Sequence, residues 1–185
     1  MATSTAAPSR VTTWDFDPAH SAAHFSVRHM MVSTVRGEFG KISGWVKLDP
    51  SDPSRTSVEA SIDAGSINTR EPQRDAHLKS PDFFDVAKFP TIDFTSTRIV
   101  KTGSETYELT GQLTLHGVAR EITLTVESDG ETKDPWGKVR RGASATGKLN
   151  RRDFGLNWNQ ALEAGGVLVG DEVKISIDVE LVQRA

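Results

Sequence analysis

Hydrophobic and polar residues alternate with a period of two along most of this chain. Near the C-terminus Val173, Ile175, Ile177, Val179 and Leu181 alternate with Lys174, Ser176, Asp178 and Glu180. Side chains of a strand point to opposite faces in turn, so this stretch has one dry face and one wet face. The rhythm returns in Val58, Ala60, Ile62 and Ala64, set against Ser57, Glu59, Ser61 and Asp63. It returns again in Tyr107, Leu109, Gly111, Leu113 and Leu115. His116-Gly117 then reads as a turn, and Ile122, Leu124 and Val126 as the returning strand of a hairpin. Phe25 and Val27 belong to a short strand after a corner at His20-Ser21. A longer strand from Val35 to Leu48 changes parity, from Val35, Gly37 and Phe39 to Ile42, Val46 and Leu48. That change needs a bulge or a bend, and Gly40 is placed to supply it.

Breaks in the rhythm mark the other elements. Asp49-Pro50-Ser51-Asp52-Pro53 and Asp129-Gly130 are turn signals. Glu71 to Ser80 reads as a short polar helix with Thr69 as its cap. Phe83, Phe84 and Phe89 follow in a loop with too much apolar area to sit in water, so it should pack over something. Val139, Ala143, Ala145, Gly147 and Leu149 form a strand whose inner face is small and leaves room. Residues 157–170 form a long glycine-containing connection of the kind used as a lid or binding loop. The sum is an all-β chain of about eight strands with one or two short helices. Periodicity does not separate a sandwich from a barrel, but the bend at Gly40 and the small inner face favour an eight-stranded antiparallel β-barrel. Residues 1–12, rich in Ala, Ser and Thr, are expected to be a disordered tail, with one domain over residues 13–185.

Composition narrows the chemistry. No cysteine is present among 185 residues, which removes disulfides, thiolate catalysis and cysteine-bound metal. The net charge is −3, from 22 basic and 25 acidic residues spread along the chain, so no nucleic-acid footprint is expected. Lys138-Val139-Arg140-Arg141 and Arg151-Arg152 read as solvated strand faces. No apolar run is long enough to be a secretion signal or an integral membrane segment, which points to the cytoplasm. His20, His24 and His29 are close in sequence, but His24 and His29 fall on opposite faces of a strand, which argues against a shared metal. Asp75 and His77 imitate an acid–base pair, yet positions i and i+2 of a helix do not face each other, and Arg74 with Asp75 reads as helix-fixing. No nucleophile elbow, phosphate loop or dinucleotide fingerprint is present. No catalytic, metal or cofactor residue is therefore assigned. Open sheet edges would allow a homodimer.

An ordered series of short motifs resembles the YceI-like family of bacterial polyisoprenoid-binding proteins. It runs from Asp17-Pro18-Ala19-His20-Ser21 and Phe25-Ser26-Val27-Arg28-His29 through Arg74-Asp75-Ala76-His77-Leu78, Asp82-Phe83-Phe84-Asp85 and Phe89-Pro90-Thr91-Ile92-Asp93-Phe94. It continues with Gly111-Gln112-Leu113-Thr114-Leu115-His116-Gly117, Arg151-Arg152-Asp153-Phe154-Gly155-Leu156 and Gly170-Asp171-Glu172-Val173. The resemblance implies a lipocalin-like barrel with a helix against it. It also implies an apolar interior for a polyisoprenoid, an isoprenoid quinone or another long-chain amphiphilic lipid, and it carries no catalytic motif. On this basis Phe25, Val27, Phe39, Phe94, Leu113, Leu115, Leu149 and Trp158 are expected to line a tunnel, with Phe83, Phe84 and Leu168 at its mouth. The protein is thus expected to carry or store a lipid and not to be an enzyme. The rivals are a metal- or His-dependent enzyme of isoprenoid or lipid metabolism and a stress-related interaction barrel without a physiological ligand.

Overall fold

A computed structural model describes residues 11–185. The expected tail at residues 1–12 lies almost wholly outside the described residues, and Thr12 already belongs to the first strand. That strand, β1 (Thr12–Phe16), runs through a corner into β2 (Ala22–His29). The chain returns as β3 (Ser33–Phe39) and β4 (Ile42–Leu48), then as β5 (Ser57–Asp63) and the two-residue β6 (Ile67–Asn68). Helix α1 (Pro72–Lys79) follows, and then β7 (Thr91–Lys101), β8 (Thr106–Leu115), β9 (Val118–Lys133), β10 (Val139–Asn150) and β11 (Val169–Gln183).

Three of the barrel's staves are bent strands. β1 with β2 form one, β3 with β4 the next, and β5 with β6 the third, because β1 pairs with β4 and β2 with β3, while β4 pairs with β5 and β3 with β6. Single strands β7 to β11 complete an antiparallel meander in which each stave lies beside its sequence neighbour. β11 closes the ring by pairing with β10 on one side and with β1 and β2 on the other. The result is an eight-stranded antiparallel β-barrel with a single α-helix among the described residues. Closure leaves β3 from Ser33 to Gly37 paired with β2 on one side and without a strand partner on the other among the described residues.

The bend at Gly40 is found where parity requires it. β3 ends at Phe39 and β4 begins at Ile42, and both side chains are buried inside. Two local expectations fail. Asp129-Gly130 is not a turn but lies within β9, and the hairpin turns at residues 134–137 instead. The turn-prone pair is used opposite a register shift between Arg141 and Ala143, where an extra residue is accommodated as a bulge. Thr69 does not cap α1. Glu71 does, its carboxylate accepting from the backbone N–H groups of Gln73 and Arg74, with Pro72 in the first turn where no N–H is needed. At the His116-Gly117 turn both residues have positive φ, as a tight hairpin turn demands.

The barrel has two distinct ends. One carries the β2–β3 turn, α1, the aromatic loop and the 151–168 connection. The other carries the β9–β10 turn and the start of β1. The main buried cluster, including Phe39, Ile67, Leu115, Phe154 and Leu156, lies under the helix end. A smaller one, Ile99, Leu109 and Leu124, lies toward the opposite end. There Trp14 is buried on the same face as Phe16, with the Arg141 guanidinium 5.6 Å from its ring centre.

Candidate functional site

Between the two clusters lies a cavity of about 250 Å3 with almost wholly apolar walls. Its length follows from β11, where Val173, Ile175, Ile177, Val179 and Leu181 all line it. At about 3.3 Å per residue and a strand tilt of about 40°, that row spans about 20 Å along the barrel axis. β10 contributes Ala143, Ser144 and Ala145 to the middle of the wall, and of these the two alanines point inward. The rings of Phe25 and Phe94 occupy the space beside Gly37 and Gly111, and a β-carbon on Gly37 would come within 2.5 Å of the Phe25 ring. Phe25, Val27, Phe94, Ile175 and Ile177 point inward yet are only half-buried. They face a hollow; in a close-packed core the same side chains would be covered.

The helix end of the cavity is roofed by aromatic side chains. Phe84 meets Phe39 edge-on at 5.6 Å, and Phe39 in turn meets Phe25 at 5.7 Å. Outside this layer His77 stands edge-on to both Phe83 and Trp158, at 5.1 and 4.8 Å, and its Nε2 lies 2.8 Å from Asp82. The helix is fastened through buried Thr69. Its N–H and hydroxyl donate to the Asp75 carboxylate, while Arg74 donates to its hydroxyl and its carbonyl. Arg74 and Asp75 thus fix the helix by clasping one threonine from two sides. Asp75 and His77 do not form a pair.

Arg151, expected on a solvated face, is instead 3% exposed. Its guanidinium donates to the carbonyls of Leu156, Trp158, Val169 and Gly170, gathering both ends of the 157–168 connection around one cation. Burial pushes its pKa down from the ordinary arginine value, against the opposing pull of Asp171. Arg140, also expected on a solvated face, donates to Asp17 at 2.8 Å, to Asp134 at 2.7 Å and to Glu180. Its hydrogen bond, joined by those of the Ala19 N–H and His20, holds the Asp17 carboxyl down at about 2. Among the described residues Asp17, His20 and Glu180 bring ligand-type atoms within 4.8 Å of one another. The Arg140 guanidinium already occupies that corner. His24 lies on the outer surface near Glu38 and Asp178, and His29 pairs with Val169 at the end of β2, so the three histidines do not converge.

Of the expected tunnel residues, Phe25, Val27, Phe39, Phe94, Leu113, Leu115 and Leu149 border the cavity. Trp158 does not; it packs on the outside of the roof against His77 and Phe83. Phe83 and Phe84 border the helix end. Leu168 is not in the wall, and its carbonyl accepts from the Met30 N–H at 2.8 Å. Sequence reasoning missed the β11 row as wall, although the alternation there is the cleanest in the chain, and it missed Phe16, whose strand fell partly within the supposed tail.

The sequence pattern of the YceI-like domain matches residues 14–181. The chain belongs to the YceI-like family. Among relatives, the UPF0312 protein SAS2572 of Staphylococcus aureus (strain MSSA476) is 41% identical over 171 residues, covering 92% of this chain and 97% of its own. The crystal structure of Burkholderia cenocepacia BcnA superposes with a TM-score of 0.78 at 24% identity, covering 89% of this chain and 98% of that one. A polyisoprenoid binding domain from Saccharophagus degradans, implicated in plant cell wall breakdown, superposes with a TM-score of 0.68 at 15% identity, covering 92% and 98%. The last two likenesses establish the YceI-like barrel as a shared fold. No helix among the described residues is long and apolar enough to cross a membrane.

Proposed function

We propose that this protein binds a long-chain isoprenoid lipid, a polyisoprenoid or an isoprenoid quinone, inside the barrel for carriage or storage. The observation that carries the reading is the long hollow lined by inward-facing, half-buried apolar side chains. Each methylene that leaves water for such a hollow contributes about 0.8 kcal/mol, so a flexible chain would bind with few polar contacts. The fold shared with a domain described as polyisoprenoid binding supports the same ligand class.

The wall offers little to a reaction. Its polar members are His24, Ser144 and Arg151. His24 and Ser144 alternate with the inward Ala23, Phe25, Ala143 and Ala145 and so turn outward. Arg151 is committed to backbone carbonyls. Binding without turnover therefore fits the wall better than catalysis. The test is organic extraction of the purified protein followed by mass spectrometry. A stoichiometric isoprenoid or quinone supports the proposal. A blank that persists after incubation with such lipids refutes it.

A further inference from the structure

The turn between β2 and β3 exposes apolar side chains that the cavity does not use. Met30, Met31 and Val32 are 44%, 62% and 78% exposed. The turn is closed by the Val32 N–H donating to the His29 carbonyl at 3.2 Å, with Met30 and Met31 at φ 50° and 59°. Two consecutive left-handed residues suit a tight hairpin, and Asn-Gly adopts them with little strain. Methionine does so at a conformational cost, here without gaining burial. A local fault of this kind is informative when the residues it presents share a chemistry.

The facing connection adds to the same surface. Ala164, Gly165, Gly166 and Val167 are all exposed. The two segments are joined by the Met30 N–H to Leu168 carbonyl bond, and Met31 lies against Gly166, where an added β-carbon would come within 2.5 Å of its sulfur. Exposed cations stand just behind. Arg28 is two residues from Met30, and Arg36 and Lys174 flank Ser26 on either side in register. None of the three is ion-paired among the described residues, whereas neighbouring Lys148 and Arg152 pair with Glu172 and Asp171. An apolar tip backed by uncompensated cations complements one kind of surface, an interface of acyl chains beneath anionic headgroups.

We infer that this tip docks the barrel on a lipid bilayer containing anionic lipids. Met30, Met31, Val32 and Val167 enter the interface, and Arg28, Arg36 and Lys174 engage the headgroups. The purpose of docking rests on the lipid-carriage reading, because Val27 and Val169 of the cavity wall sit directly behind the tip, Val169 in register with His29. The contact itself does not depend on that reading. Trp136, 84% exposed in the β9–β10 turn at the opposite end, provides an internal control.

The experiment is flotation of the whole protein with vesicles of phosphatidylcholine, with and without phosphatidylglycerol, alongside solvent extraction of the same samples. The wild type should float with the anionic vesicles and release as salt is raised. The double variant Met30→Asn with Met31→Gly should lose flotation while melting at the same or a higher temperature, since its turn is relieved of strain. Arg36→Ser and Lys174→Ser should each weaken binding about fivefold. Trp136→Ser should leave it unchanged. Flotation of the double variant equal to wild type would overturn the inference, as would a wild type that never floats or binding lost on Trp136→Ser. A double variant that stops floating but still yields lipid on extraction upholds both readings. A wild type that floats but yields no lipid, even after loading, upholds docking and refutes carriage.

Discussion

Ala143 and Ala145 leave space that larger side chains would fill, and this sets capacity residue by residue. On the lipid-binding proposal, Ala143→Phe projects a ring into the hollow from a position that belongs to neither buried cluster, so bound lipid should fall sharply with little change in thermal stability. Extraction and a melting curve on one sample would check this. Leu115 also borders the cavity, but it is 5% exposed and belongs to the cluster under the helix. Leu115→Trp should therefore overpack, at a cost of about 1–3 kcal/mol in urea unfolding, and is the poorer blocking variant. Arg151 is the residue on which most local structure depends. Arg151→Met removes the donor shared by four carbonyls and should cost at least about 3 kcal/mol, because several buried acceptors lose their partner together. Denaturant unfolding would measure the loss, and faster proteolysis within residues 157–168 would locate it.

At the scale of elements, the short helix and the aromatic loop act as one roof because Thr69 ties α1 to the end of β6. Thr69→Val keeps the shape and removes the hydroxyl that Asp75 and Arg74 share. The expected loss is about 1–3 kcal/mol, expressed as faster amide exchange in Pro72–Lys79 and not in β7 to β11. If the roof limits access to the cavity, lipid exchange between protein and vesicles should quicken in the same variant. The roof includes Phe83 and Phe84 on the cavity side and Trp158 outside. Trp158 fluorescence is thus placed to report on roof movement and not on the ligand directly.

For the molecule as a whole, closure joins chain segments far apart in sequence, and the Arg140 cluster sits at one such seam. Asp17 follows β1, Glu180 lies on β11 and Asp134 lies in the β9–β10 turn. The folded-state pKa of Asp17 is depressed to about 2 from its usual value of 3.8. A depressed carboxyl stabilises the fold fully above its unfolded value, and that contribution fades as pH falls toward the folded value. The same direction holds for Asp134, lowered chiefly by its hydrogen bond to Arg140. Stability should therefore drop between about pH 4 and about pH 2 in the wild type. Arg140→Ala should be less stable at neutral pH, where three carboxylates face one another unneutralised, and should show a shallower decline over that acid window. Urea midpoints across the range would decide it.

The sequence by itself determined the class of structure. A strict period of two fixes which side chains share a face, so most strands, the parity change at Gly40, the His116-Gly117 hairpin and the short polar helix were legible, while β1, which begins inside the expected tail, was not. Seven of the eight residues expected in the tunnel were placed by that parity and by the family resemblance. What needed the tertiary structure depends on partners distant along the chain. Ring closure rests on β11 meeting β1 and β2, which no local pattern records. Whether Ala143 and Ala145 pack against a neighbour or border a void depends on the opposite wall. Arg140 and Arg151 look like surface cations in sequence because charge alone does not reveal burial; only the convergence of carboxylates on one and of backbone carbonyls on the other makes their positions tolerable. Trp158 misled for the same reason: its apolar ring had to be buried somewhere, but the fold put it outside the roof, against His77 and Phe83.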